Sequence, residues 1–126
     1  MTNQKVLCEG WGMSADCLFC RIVAGTIPAK KMYEDELSLA FADINPQAPT
    51  HLLIIPKEHV ASQAHAQEEH AALLGHLMAK AAEVARDAGL DGGYRVVVNT
   101  GADGGQTVDH LHLHLLGGRH MRWPPG

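Results

Sequence analysis

Apolar and polar residues alternate most strictly in DHLHLHLL, residues 109 to 116, where His110, His112 and His114 take every second position with leucines between them. A strand turns successive side chains to opposite faces, so the spacing predicts three imidazoles on one face and Leu111, Leu113 and Leu115 on the other. The strand extends over VDHLHLHLLGG. GYRVVVNT, residues 93 to 100, predicts a second strand, joined to the first by the glycine-rich turn GADGGQ. HLLIIP, residues 51 to 56, reads as a short apolar strand stopped by Pro56. TIPAKKMYED and LSLAFADI alternate on either side of an acidic turn near Asp35 and Glu36, which predicts a hairpin, and NPQAPT is a loop by its two prolines. From His65 to Ala88, Leu74, Leu77, Met78, Ala81, Val84, Ala85 and Ala88 recur at helical spacing, with Glu68 and Glu69 at the start and Gly89 after the end. CLFCRIVAG predicts about two further helical turns, capped by Asp16 and ended by Gly25, with Cys17 and Cys20 on one side. These elements make an α+β chain with a mostly antiparallel sheet, one face of it covered by the long helix.

A chain of 126 residues fits one domain. The polar, unpatterned start MTNQKVLCEGWG, followed by a second plausible start at Met13, reads as a flexible tail over 1–14, which leaves the domain at 15–126. Lys plus Arg number 10 against 14 Asp plus Glu, without a run of either sign, so long nucleic acid is not the expected partner. No apolar run approaches the roughly 20 residues a membrane span needs, and no secretory pattern opens the chain, so no membrane partner and a cytoplasmic location are expected. Three cysteines are an odd number, which argues against a disulfide framework and leaves the CLFC pair available to metal or redox chemistry.

Nine histidines are many for this length, and His51, His59, His110, His112 and His114 sit beside strand-like runs. Three imidazoles on one strand face have two chemical uses: to share a metal, or to divide the roles of nucleophile, proton donor and hydrogen-bond partner. The preceding NTGADGGQT favours an anionic phosphate, because its glycines let backbone N–H groups approach an anion closely. Thr107 adds a hydroxyl suited to a phosphoryl oxygen or a leaving group. In FADI, Asp43 either caps a turn or accepts both hydroxyls of a ribose, with Ile44 beside it to pack on a base.

GGQTVDHLHLHLLGGR, together with FADINPQAPTHLLIIPKEH and the ending MRWPPG, resembles the histidine triad (HIT) family in its Hint branch of nucleoside phosphoramidases. The resemblance runs from Cys17 to Gly126, and departs from the family where Thr107 replaces a usual serine and Asp109 a residue that is often aromatic. It implies a HIT-like fold with a five-stranded, mostly antiparallel sheet, one long and one short helix, and a sheet continued across a homodimer. It also implies that a purine nucleoside monophosphate sits with its base among Phe19, Ile22, Ile44 and Leu53 and its ribose on Asp43. The phosphate then lies among Asn99, Gly105, Gln106, Thr107, His112 and His114. The implied activity is hydrolysis of adenosine 5'-phosphoramidate, AMP-amine conjugates and acyl adenylates, with His112 as nucleophile and His114, Thr107 and His51 as further catalytic groups. In a subset of the family CxxC, PKxH and the first triad histidine bind structural zinc, which here names Cys17, Cys20, His59 and His110, with His51 as the competing fourth ligand. Two other readings are a metal-dependent hydrolase using the three histidines and a nucleotide-binding scaffold with vestigial catalysis.

Overall fold

A computed structural model describes residues 15–126; the tail expected over 1–14, with Cys8 and Met13, lies outside the described residues. The elements are α1 (Leu18–Ala24), β1 (Lys31–Glu34), β2 (Ser38–Ala42), β3 (Thr50–Pro56), α2 (Ala71–Asp87), β4 (Tyr94–Val97) and β5 (Leu113–Gly117). The five strands form one sheet in the order β1-β2-β3-β5-β4, every neighbouring pair antiparallel, as the patterning implied. No helix among the described residues is long and apolar enough to cross a membrane.

The sheet is covered on both faces, where only the long helix was expected as cover. Ala40, Leu52, Ile54, Leu113 and Leu115 pack with Leu77, Ala81, Val84 and Ala85 of α2 on one side. On the other side Leu39, Phe41, Leu53 and Ile55 pack with Phe19 and Ile22 of α1. Central β3 is buried on both faces, which is why HLLIIP is a continuous apolar run with no alternation.

Four expected boundaries move, each for a local reason. Cys17, not Asp16, caps α1: its Sγ accepts the Cys20 N–H at 3.4 Å. The strand expected from Thr26 begins only at Lys31, because Thr26 and Ile27 donate their N–H groups to Arg21 O and Pro28 has none to donate. The long helix begins at Ala71, after two short 3-10 turns over Gln63–His65 and Glu68–His70, where the Gln67 N–H donates to His70 Nδ1 at 2.8 Å. The histidine strand starts at Leu113 because its last partner on β3 is Ile54, and Pro56 offers no N–H to carry the ladder back to Leu111. Leu111 donates instead to Val60 O at 2.7 Å, yet it still shares the α2 core with Leu113 and Leu115.

Asp35 ties the β1–β2 turn to α2. Its Oδ1 accepts from the Leu37 N–H at 2.8 Å, the Ser38 N–H at 2.7 Å and the Ser38 hydroxyl at 2.9 Å. Its Oδ2 accepts from the Tyr33 hydroxyl at 2.9 Å and lies 2.7 Å from His76 Nε2 on α2. Burial raises the Asp35 pKa, but the Leu37 N–H and the other donors outweigh it and hold the carboxyl below the usual carboxylate range. With the folded pKa below the unfolded one, the stabilisation is complete above about pH 4 and is lost as the pH falls below that. Asp35→Ala is expected to lower stability by about 1–3 kcal/mol at neutral pH. It should also flatten the acid-side fall in melting temperature; an unchanged acid limb would remove Asp35 from this role.

Candidate functional site

Two clusters of side chains meet at the N-terminal end of β5. In the first, α1 brings in Cys17 and Cys20, the segment after β3 brings in His59, and the segment before β5 brings in His110. One donor atom from each of these four residues lies within 4.8 Å of the others. Cys17 Sγ is 3.4 Å and Cys20 Sγ 3.5 Å from His110 Nδ1; Cys20 Sγ is 3.3 Å from His59 Nδ1, and the two Nδ1 atoms are 3.2 Å apart. His110 Nε2 lies 2.8 Å from Pro56 O, and since a carbonyl only accepts, the ring proton is on Nε2 and the electron pair on Nδ1 faces the sulfurs. The Cys20 side chain first, with the Cys20 N–H, outweighs burial and shifts the Cys17 thiol below the ordinary thiol range. A thiolate is the form of cysteine that ligates metals. The fourth position belongs to His59; its competitor His51 sits in the second cluster.

The second cluster borders a cavity of about 540 Å³. His112 Nδ1 lies 2.6 Å from His110 O, which puts the proton on Nδ1 and leaves the electron pair of Nε2 unprotonated on a ring that lines the cavity. Behind it runs a chain of donors. The Gln47 N–H donates to His51 Nδ1 at 3.0 Å, so His51 carries its proton on Nε2, which is 2.9 Å from His114 Nδ1 and 3.3 Å from Asp43 Oδ2. As an acceptor at Nδ1, neutral His114 holds its proton on Nε2. Burial lowers the His112 pKa despite the His110 carbonyl bond, and burial with the neighbouring His112 and His51 pushes His114 down to about 4. Both rings are neutral near pH 7.

Eight residues expected around a nucleotide line this one cavity: Phe19, Ile22, Asp43, Ile44, Leu53, Thr107, His112 and His114. Ile44 does so from the rim with its side chain fully exposed. Asn99, Gly105 and Gln106 do not line this cavity; they fold the turn on itself. Asn99 Nδ2 donates to Gly104 O at 2.7 Å, and Gln106 Oε1 accepts from the Gly101 N–H at 3.0 Å. Gln106 Nε2 donates to Ala61 O at 2.8 Å and Val108 O at 3.0 Å. The turn is so tight that a Cβ on Gly104 would sit 2.3 Å from Thr100 O. Its effect is to carry Thr107 to the cavity.

The three triad histidines do not converge on one point: His110 faces the cysteines, whereas His112 and His114 face the cavity. That separation overturns the shared three-histidine metal centre. Sequence reasoning missed Leu18, Ile27, Pro28, Ala29, Lys30 and Phe41 in the wall. Pro28 was the available signal for the segment before β1, since it has no N–H to give to a strand ladder there.

The sequence profile of the HIT domain matches residues 24–121. The chain is 54% identical over 111 residues to the 14 kDa zinc-binding protein of Zea mays, which covers 86% of this chain and 87% of that one. The crystal structure of a HIT family hydrolase from Legionella pneumophila superimposes with a TM-score of 0.87 at 53% identity, covering 88% of this chain and all of that one. A histidine triad nucleotide-binding protein from Candida albicans gives a TM-score of 0.74 at 33% identity, over 86% of this chain and 83% of that one. With the profile spanning most of the chain and the triad histidines within it, the chain belongs to the HIT domain family.

Proposed function

We propose that this protein is a purine nucleoside phosphoramidase of the Hint type, hydrolysing the P–N bond of adenosine 5'-phosphoramidate and AMP-amine conjugates through a nucleotidyl-histidine. The observation that carries the reading is the His112–His110 hydrogen bond, which presents a neutral imidazole with its Nε2 electron pair beside an apolar cavity sized for a nucleoside. The Legionella HIT family hydrolase and the Candida histidine triad nucleotide-binding protein agree with it in what they are named for.

In this reading the base packs against Phe19, Ile22 and Leu53, and Asp43 accepts from the ribose. His112 Nε2 forms a bond to phosphorus as the P–N bond breaks, and the nitrogen leaves as the amine once it gains a proton. His114 supplies that proton. Its pKa is low in the free protein, but the negative phosphoryl group favours the charged ring; charging it puts a proton on Nδ1 as well, and His51 then gives its Nε2–H to Asp43 Oδ2. Thr107 donates its hydroxyl to a phosphoryl oxygen. Water then attacks phosphorus, its proton goes to His114, the P–Nε2 bond breaks and AMP leaves, with His112 again neutral on the His110 carbonyl.

The four-residue cluster fits structural zinc. Bonds of about 2.0–2.1 Å to nitrogen and 2.3 Å to sulfur place tetrahedral N···N and S···N edges at about 3.4–3.6 Å, and the edges here are 3.2 to 3.5 Å. The pairing of two thiols with two imidazoles selects zinc over a hard cation, and the Pro56 carbonyl orients His110 as an outer partner of a ligand should. When bound, the ion supplies a closed structural crosslink and no open catalytic position. A homodimer completes the proposal: β4 is an edge strand, with Tyr94 on it, Val98 just beyond it and Met78 of α2 all more than a third exposed.

His112→Ala is expected to lower single-turnover cleavage of adenosine 5'-phosphoramidate by at least about 10³-fold, and to abolish the acid-labile label on the protein, with AMP binding retained. A loss of only a few fold would sink the nucleophile assignment, and AMP affinity without turnover in the wild type would favour the scaffold. Elemental analysis should find close to one zinc per chain, removed with a fall in melting temperature by Cys17→Ser with Cys20→Ser; zinc persisting in that variant would exclude the site. Light scattering at micromolar concentration should give twice the 13.6 kDa chain mass; the monomer mass would refute the dimer.

A further inference from the structure

We infer that Phe19 is a positioning residue that couples the Cys/His centre to the cavity, so that metal and nucleotide each tighten the binding of the other; this rests on the nucleotide reading above. Phe19 lies in the first turn of α1, bracketed by Cys17 and Cys20. Its ring is buried and stands edge-on to three others: Phe41 at 5.5 Å, His110 at 5.9 Å and His112 at 5.1 Å with planes 89° apart. The same ring forms part of the cavity wall. One side chain therefore touches a proposed metal ligand, the proposed nucleophile and the space for the base.

The geometry leaves the first turn of α1 little support of its own. The helix has seven residues, too few to persist without packing, and its cap is a sulfur accepting one N–H at 3.4 Å. A metal held by Cys17, Cys20, His59 and His110 ties that turn to the segments before β5 and after β3, and so fixes the Phe19 ring against His112. A base packed on the cavity side of Phe19 presses the same ring from the opposite direction. Each ligand then orders what the other requires, which is positive coupling and must be reciprocal. His110 gives the coupling a direct second anchor, because its Nδ1 faces the centre while its carbonyl holds the His112 proton.

The test uses the full chain and reads binding, not turnover. Zinc-loaded protein, and protein stripped by a chelator with its fold checked by circular dichroism, are each titrated with AMP; the loaded form should bind at least about fivefold more tightly. Saturating AMP should tighten zinc by the same factor in competition with a chromophoric chelator, a measurement that decides the matter even where the stripped chain loses its fold. In Phe19→Leu, which still takes up one zinc per chain, both ratios should fall to within about twofold of unity. A merely structural loss would weaken AMP equally with and without zinc and leave the ratio intact. Equal AMP affinity of the two wild-type forms, with zinc affinity indifferent to AMP, would overturn the coupling while leaving the nucleotide site in place. A wild-type ratio in Phe19→Leu would overturn the part given to Phe19. Failure of AMP to bind either form would overturn the nucleotide reading and the coupling with it.

Discussion

The fixed polarity of the backbone, in which C=O only accepts and N–H only donates, decides what each histidine near β5 can do. Pro56 O takes the Nε2 proton of His110 and turns its electron pair to the cysteines, while His110 O takes the Nδ1 proton of His112 and leaves the opposite nitrogen bare at the cavity. The Gln47 N–H does the reverse for His51, and so makes it a donor to His114. Three neighbouring triad imidazoles with one intrinsic chemistry thus acquire different tautomers, His110 and His112 from backbone carbonyls and His114 from His51.

Those backbone groups are held by the sheet. Pro56 ends β3 and cannot donate, so the chain before Leu113 leaves the ladder, and its histidines form side-chain bonds that a continuous strand would have constrained otherwise. The leucines between them stay in the α2 core and pin the histidine side to the α1 face. Both sheet faces are therefore buried: α2 supplies the bulk of one core, and the smaller α1 supplies part of the other and of the cavity wall.

The glycine-rich turn shows where local reasoning stops. Its composition pointed to an anion cradle of backbone N–H groups; in the fold the side-chain amides of Asn99 and Gln106 close the turn and join it to Ala61 O, and Thr107 reaches the cavity. Composition specifies what a loop can donate, and the fold determines whether those donors are already taken.

Much of the architecture was legible because it depends on periodicity. Alternation at 109–116 put histidines and leucines on opposite sides even where no ladder forms, and the 3.6-residue recurrence of Leu77, Ala81, Val84 and Ala85 marked the buried face of α2. The resemblance to the histidine triad family likewise brought forward Cys17, Cys20, His59 and His110 as one set. What the tertiary structure alone decided was the partner of each ring nitrogen, the role of Phe19 between two centres, and the wall formed by Ile27 to Lys30. The reason is physical. Periodicity is a property of neighbouring residues in one chain, whereas a tautomer, a Cys/His cluster or a cavity wall is set by groups up to 93 positions apart that meet only when the sheet has formed.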